Sequence, residues 1–240
     1  KSYEAQKGQF YDRNHYDNII GETCYGYKEN GEILFFLLKG AINKENIDKY
    51  KKVIKPLSKT KTKNRGSAAG PVNLSKFPKR AEVLCDKNGK EYTDGKDRYS
   101  VFYKDETGHF VNRCQSNQTR CGVAGNFDKI AGLPCRLVGW SVNNTEKHTI
   151  LEGLAREIGE NHKIHCSESY EFHRKRAEES KPYLFKDSIY STMTLNYDFR
   201  TACHKDKGDL IGGLSTLTIF EEVDCNYEGF YLGLPEYKIC

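Results

Sequence analysis

The chain has 240 residues, 38 lysines and arginines against 33 aspartates and glutamates, and a net charge of +5. With 37% hydrophobic and 12% aromatic residues it can build one domain with a sizeable core. No apolar run approaches the ~20 residues that span a bilayer. The opening Lys1-Ser-Tyr-Glu has no hydrophobic signal region, so membrane and secreted classes are set aside.

Nine cysteines without framework spacing favour reduced thiols in an intracellular compartment. Two groups, Cys114/Cys121/Cys135 and His162/His165/Cys166/His173, lack the C-x₂-C knuckles of a zinc site. They read as buried thiols and surface histidines. The single methionine is Met193, so the sequence is expected to be a piece of a longer chain.

Residues 1–31 are polar and aromatic with poor periodicity, and are expected to form an irregular leader. A single domain is expected over 32–240. Glu32-Ile-Leu-Phe-Phe-Leu-Leu-Lys-Gly40 is apolar on both faces and predicts a buried strand. Asn43 has the chemistry of an N-cap, and Ile47, Tyr50, Ile54 and Leu57 follow at helical spacing. From Lys44 to Arg65 the chain also carries Lys49, Lys51, Lys52, Lys55, Lys59, Lys61 and Lys63. This strip fits a solvated helix face leading into a basic loop, or a surface that contacts phosphate.

Between Val83 and Phe110, short strand-like pieces alternate with Asn-Gly, Asp-Gly and Thr-Gly turns. Leu133–Val142 predicts another strand. Ile150, Leu151, Leu154 and Ile158 predict a helix over 149–161, and a second helix is expected over 167–180. Ser191–Arg200, Gly213–Glu221 and Phe230–Leu234 then predict strands separated by turns. Helices followed by late antiparallel strands argue an α+β fold with a barrel or sandwich core.

The late strand runs into Asn196-Tyr-Asp-Phe-Arg200-Thr-Ala-Cys-His204-Lys-Asp206-Lys-Gly-Asp209. A β-branched run followed by His-x-Asp is how non-haem iron oxygenases supply two of three facial ligands. Imidazole and carboxylate take one face of the metal, and the other positions stay open for an oxo-acid and O₂.

Three blocks in this order carry a resemblance: Asn64-Arg-Gly-Ser-Ala-Ala-Gly70, Asn112-Arg-Cys-Gln-Ser-Asn117 through Phe127-Asp128 to Cys135-Arg136-Leu137, and Thr192 to Asp209. Together, over roughly residues 60–240, they resemble the TET/JBP family of Fe(II)- and 2-oxoglutarate-dependent nucleic-acid base dioxygenases, and its smaller fungal, algal, protist and viral-type members above all. The resemblance implies a double-stranded β-helix (jelly-roll, cupin-like) flanked by helices, with Fe(II), 2-oxoglutarate and O₂ at the barrel mouth. His204 and Asp206 match the first two iron ligands, with Lys205 pointing away. Asn196 and Arg200 fall at positions for the cosubstrate. Asp209 matches an acidic position facing the exocyclic amine of the target base. Asn117, Arg136 and Arg65 are candidates for base, phosphate or cosubstrate contacts.

The implied reaction couples decarboxylation of 2-oxoglutarate to hydroxylation of the methyl group of 5-methylcytosine or thymine in a flipped-out nucleotide. An algal relative transfers a vitamin C-derived group to the same methyl, so the cosubstrate is open. The implied partner is nucleic acid, methylated DNA before RNA, in a nucleus or a viral or host-cell DNA compartment. In the family a later histidine completes the iron site, with a basic residue for the distal carboxylate. No histidine follows His204 here, and the reading is truncation before the last core strands. Two alternatives stand beside it. One is an oxygenase of the same fold acting on a protein side chain, and the other is a catalytically silent nucleic-acid-binding module.

Overall fold

The computed structural model describes residues 7–72, 83–93, 98, 101–105, 107–127, 135–206, 209–221 and 232–240, and the backbone alone for 83–84 and 110–115. It is α+β, with four helices and three antiparallel sheets among the described residues. Strands β1 (Cys24–Tyr27) and β2 (Ile33–Leu37) form a hairpin. The expected division at residue 31 falls in its turn, where Lys28 N–H donates to the Glu32 carbonyl. The expectation of a buried strand is corrected here. β2 is half-buried along most of its length and ends on an exposed Leu37, because among the described residues its cover is one further strand and the end of a helix.

Helix α1 (Lys44–Ser58) begins as its sequence dictates: the Asn43 side chain accepts from Glu45 N–H at 3.0 Å. Tyr50, Val53 and Leu57 form its buried stripe, and Pro56 lies in its last turn. β3 (Lys61–Thr62) follows, then a 3₁₀ turn over Gly66–Ala69. β4 (Val83–Cys85), β5 (Val101–Lys104) and β6 (Phe110–Gln115) make a separate meander.

The central strand is β7 (Thr119–Phe127). It pairs with β3 at its start, with β8 (Arg136–Leu137) at its end, and with β9 (Thr192–Asn196) from Cys121 to Gly125. The strand expected over 133–142 is confined to the two residues of β8. Helix α2 (Gly139–Asn143) replaces the rest, carrying Ser141, whose hydroxyl accepts from Gly125 N–H at 3.0 Å. Leu133 and Pro134 lie outside the described residues, as do residues 94–97, 222–231 and Asp128. No ladder forms in the described part of 213–221.

Helices α3 (Thr145–His165) and α4 (Ser167–Glu179) follow α2. The core lies between α1, α3 and one face of β7–β9, with Tyr50, Val53, Leu57, Ala124, Leu151, Leu154, Ala155, Phe185 and Leu195 buried together. The close approach of α1 to β7 needs glycine at 122, since a Cβ there would run into the Leu57 carbonyl and side chain. Among the described residues no helix is long and apolar enough to cross a membrane.

Candidate metal and nucleic-acid site

β9 delivers the chain to the His-x-Asp segment through a sharp turn at Asp198, whose φ is 43°. Aspartate tolerates this left-handed conformation better than most residues. The segment that follows is clamped from two sides. Ala202 N–H donates to the Ala68 carbonyl at 2.9 Å. Cys203 exchanges bonds with the amino-terminal segment, donating to Gln9 O at 2.8 Å and accepting from Gly8 N–H at 2.7 Å. Asn117 locks the other side of the loop, with its Nδ2 donating to the carbonyls of Pro71 at 2.8 Å and Ala69 at 3.0 Å, and 3.4 Å from that of Gly70. The three blocks that are far apart in sequence thus meet at residue 202.

This clamping fixes His204. Its Nδ1 lies 2.8 Å from the Ala202 carbonyl, which can only accept, so Nδ1 carries the proton. Nε2 then faces Asp206 Oδ1 at 3.5 Å. That placement suits a shared cation, whether a proton on the imidazole or a metal ion. Ligands at ~2.1 Å and right angles on a metal stand ~3 Å apart. A backbone carbonyl orienting the distal ring nitrogen is the usual support of a metal-binding histidine. The donor pair therefore fits a metal ion. His204 is mostly covered and Asp206 open to solvent. Among the described residues no third His, Cys, Asp or Glu completes a cluster with them.

The remaining site residues divide. Asn196 is exposed at the end of β9, and its register partner is Cys121. Arg65 lies near that cysteine. Burial pushes the Cys121 thiol up, and the Arg65 guanidinium partly offsets it. Arg65 is itself half-buried, with Nε shielded from solvent and without a hydrogen-bond partner among the described residues. An orphaned guanidinium N–H of this kind suits a carboxylate or phosphate oxygen. Arg65 and Asn196 thus gather at one end of β7. Arg200 is engaged elsewhere: its Nη2 donates to the Tyr11 carbonyl at 3.2 Å and its guanidinium lies 5.1 Å from the Phe10 ring centre. Arg136 is exposed on β8, at the far end of β7. Asp209 is exposed and accepts from the Ser215 hydroxyl; residues 207–208, which join it to Asp206, lie outside the described residues.

Part of the basic strip has a partner surface. Lys61 and Arg120 are directly opposed across β3 and β7, a placement that costs stability. Lys59 and Arg120 both approach the Tyr197 ring, at 4.8 and 5.9 Å from its centre. Among the described residues none of these three cations has a carboxylate within ion-pair range. Two cations on one aromatic ring, with Lys61 opposite Arg120, form a surface suited to a phosphate backbone.

The histidines read as surface residues include one that is not. His162 is 1% exposed, on the buried stripe of α3. Its Nδ1 is 3.1 Å from the Tyr190 hydroxyl and its Nε2 3.1 Å from Ser169 Oγ. Burial, with His173 beside it, pulls its pKa down to about 4. The seven described cysteines are free thiols.

About half of the chain is similar to known proteins. It is 32% identical over 121 residues to the bifunctional helicase and thymine dioxygenase JBP2 of Trypanosoma brucei brucei, covering 49% of this chain and 11% of that protein. The Leishmania infantum protein of the same name is 35% identical over 124 residues, 49% of this chain and 10% of the relative. Thymine dioxygenase JBP1 of Trypanosoma brucei brucei is 28% identical over 125 residues, 50% of this chain and 14% of the relative. The chain therefore matches only about a tenth of the length of these relatives. No family model matches, and neither does any solved structure. The similarity relates this chain to the TET/JBP family.

Proposed function

We infer, from this relationship, that the chain carries part of the catalytic centre of an Fe(II)- and 2-oxoglutarate-dependent dioxygenase. Its substrate would be the C5 methyl group of a pyrimidine in DNA, 5-methylcytosine or thymine. The observation that carries the inference is the His204–Asp206 pair, with its imidazole fixed by a backbone carbonyl and its two acceptor atoms 3.5 Å apart. A double-stranded β-helix built around β3, β7, β8 and β9 belongs to the same reading.

His204 and Asp206 would hold the iron. When bound, it would supply the activation of O₂ that links decarboxylation of 2-oxoglutarate to hydroxylation of the methyl group. The chain's own residues do the rest. Arg65, with a spare buried N–H, would take a carboxylate of the oxo-acid, and Asn196 would hydrogen-bond beside it. Asp209 can only accept a hydrogen bond when ionised. It would favour 5-methylcytosine, which presents an amine at C4, over thymine, which presents a carbonyl. The methyl of a stacked base is out of reach, so the nucleotide must leave the duplex at a cost of a few kcal/mol. Phosphate contacts from Lys59 and Arg120 beside Tyr197, and from Lys61 opposite Arg120, would help to offset that cost. A DNA substrate would place the protein in a nucleus or a viral or host-cell DNA compartment.

Nucleoside mass spectrometry tests the reading. The protein is incubated with Fe(II), 2-oxoglutarate and DNA carrying 5-methylcytosine or thymine, with His204→Ala as control. A hydroxymethyl base lost in the control supports it and identifies the base. Succinate without a base product would move the assignment to another substrate, a protein side chain included. Neither product would leave a nucleic-acid-binding module.

A further inference from the structure

Residues 209–216, directly after the metal pair, contain no helix or strand. Nor are they held by burial: Ile211 is 92% exposed, and Leu217 just beyond is 59% exposed. Hydrogen bonds to α4 and the segment before β9 hold them instead. Leu214 N–H donates to His173 Nε2 at 3.1 Å. The Thr216 hydroxyl lies 2.9 Å from that of Tyr190, which is in turn bonded to buried His162. Within the loop, Gly213 N–H donates to the Leu210 carbonyl at 2.9 Å and Ser215 donates to Asp209. Gly212 has φ 84°, and Gly213 lies so close to the His173 ring that a Cβ would collide with it. The result is a tight, anchored turn with a bare isoleucine at its tip, two residues from Asp209.

Proteins that extrude a base commonly slide an apolar side chain into the space it leaves, so that neighbouring base pairs keep a stacking partner. A wedge must be apolar, uncovered in the free protein, and mounted on a backbone that does not yield. Ile211 meets the first two conditions, and the His173 and Tyr190 bonds supply the third.

We propose that Ile211 is the side chain that fills the duplex where the target nucleotide leaves it. In this arrangement His173 is the positioning residue, holding the turn so that Ile211 enters the stack while Asp209 meets the extruded base. The inference rests on the base-oxygenase reading above. His173 can serve only while Nε2 is unprotonated, because a backbone N–H needs an acceptor. Burial keeps its pKa below the usual value, Asp209 pulls the other way, and His162 faces it with ring centres 5.3 Å apart.

The test reads base extrusion apart from chemistry. A duplex with 2-aminopurine beside a 5-methylcytosine or thymine target brightens when the neighbouring base unstacks. The expected result is that the protein brightens the probe without added iron. Ile211→Ala should reduce the response about tenfold while the affinity for the same duplex and the melting temperature stay within a factor of two and about one degree. His173→Phe should reduce it likewise, and His173→Gln, which retains an acceptor, should restore it. In the nucleoside assay Ile211→Ala should lose activity on duplex and keep it on single strands. No brightening with the unaltered protein, or equal brightening with Ile211→Ala, overturns the proposal. Brightening that depends on Ile211 but yields no hydroxymethyl base would overturn the oxygenase reading alone.

Discussion

Asn117 reaches the Pro71 carbonyl at 2.8 Å, across 46 residues of sequence, and so holds the far side of the loop whose Ala68 carbonyl receives Ala202 N–H. One carboxamide thereby supports the backbone that aims His204. Asn117→Ala leaves part-buried carbonyls without a donor and is expected to cost about 2 kcal/mol of stability. It should also weaken Mn(II) or Co(II) binding beyond what the reduced stability explains. Calorimetric metal titration of the folded variant checks this; unchanged affinity would separate the loop from the metal pair.

Arg65 and Arg200 are equivalent as sequence, both arginines within recognisable blocks. Their surroundings differ. Arg200 already contacts Tyr11 O and the Phe10 ring, whereas Arg65 keeps a shielded Nε without a partner among the described residues. Arg65→Lys is therefore expected to raise the KM for 2-oxoglutarate about tenfold or more, because the fork and its Nε–H are removed. Arg200→Ala should lower thermal stability and leave that KM within about threefold. The reverse pattern in steady-state kinetics would exchange their roles.

His162 makes stability depend on pH. Its folded pKa is held to about 4 against an ordinary value of 6.5. Between these values the unfolded chain binds a proton that the folded chain refuses, so stability falls with acidity. The contribution is complete above pH 6.5, declines as the pH drops, and levels off below about 4. The full span is about 3 kcal/mol. Urea titrations across this window should show the slope, and His162→Gln should flatten it.

Lys61 and Arg120 face each other without a carboxylate among the described residues. Replacing both with serine should stabilise the fold slightly, by relieving repulsion, and weaken binding to unmodified DNA. For every phosphate that is no longer neutralised, the slope of log affinity against log salt should fall by about 0.9. An unchanged slope would show that the pair does not touch the backbone.

Local chemistry makes α1 and α3 legible: a capping asparagine for α1, and apolar residues at three- and four-residue spacing in both. His204 and Asp206 are legible for the same local reason, being two residues apart after an apolar strand. The segment 133–142 misleads because a short apolar run serves a strand or a buried helix equally well. Tertiary contact decides there, through Ser141 on Gly125 and Trp140 against the core. His162 could have been found, since it continues the stripe of Leu151, Leu154 and Ile158 at the next four-residue step. The convergence of Asn117, Ala68 and Gln9 on residues 202–203 could not, because nothing in any one segment announces a partner a hundred residues away.

The amino-terminal threads around the metal pair also set an order of events. Tyr11 and Arg200 are 189 positions apart, and Gly8 and Gln9 bond to a residue just beyond. Contacts of such separation close late, after local helices and hairpins have formed. On a ribosome, Tyr11 waits for 189 further residues before its partner Arg200 appears. The geometry around His204 thus closes after the local helices and hairpins, and a chain interrupted before residues 8–11 and 200–203 have met carries the histidine without the grip that aims it.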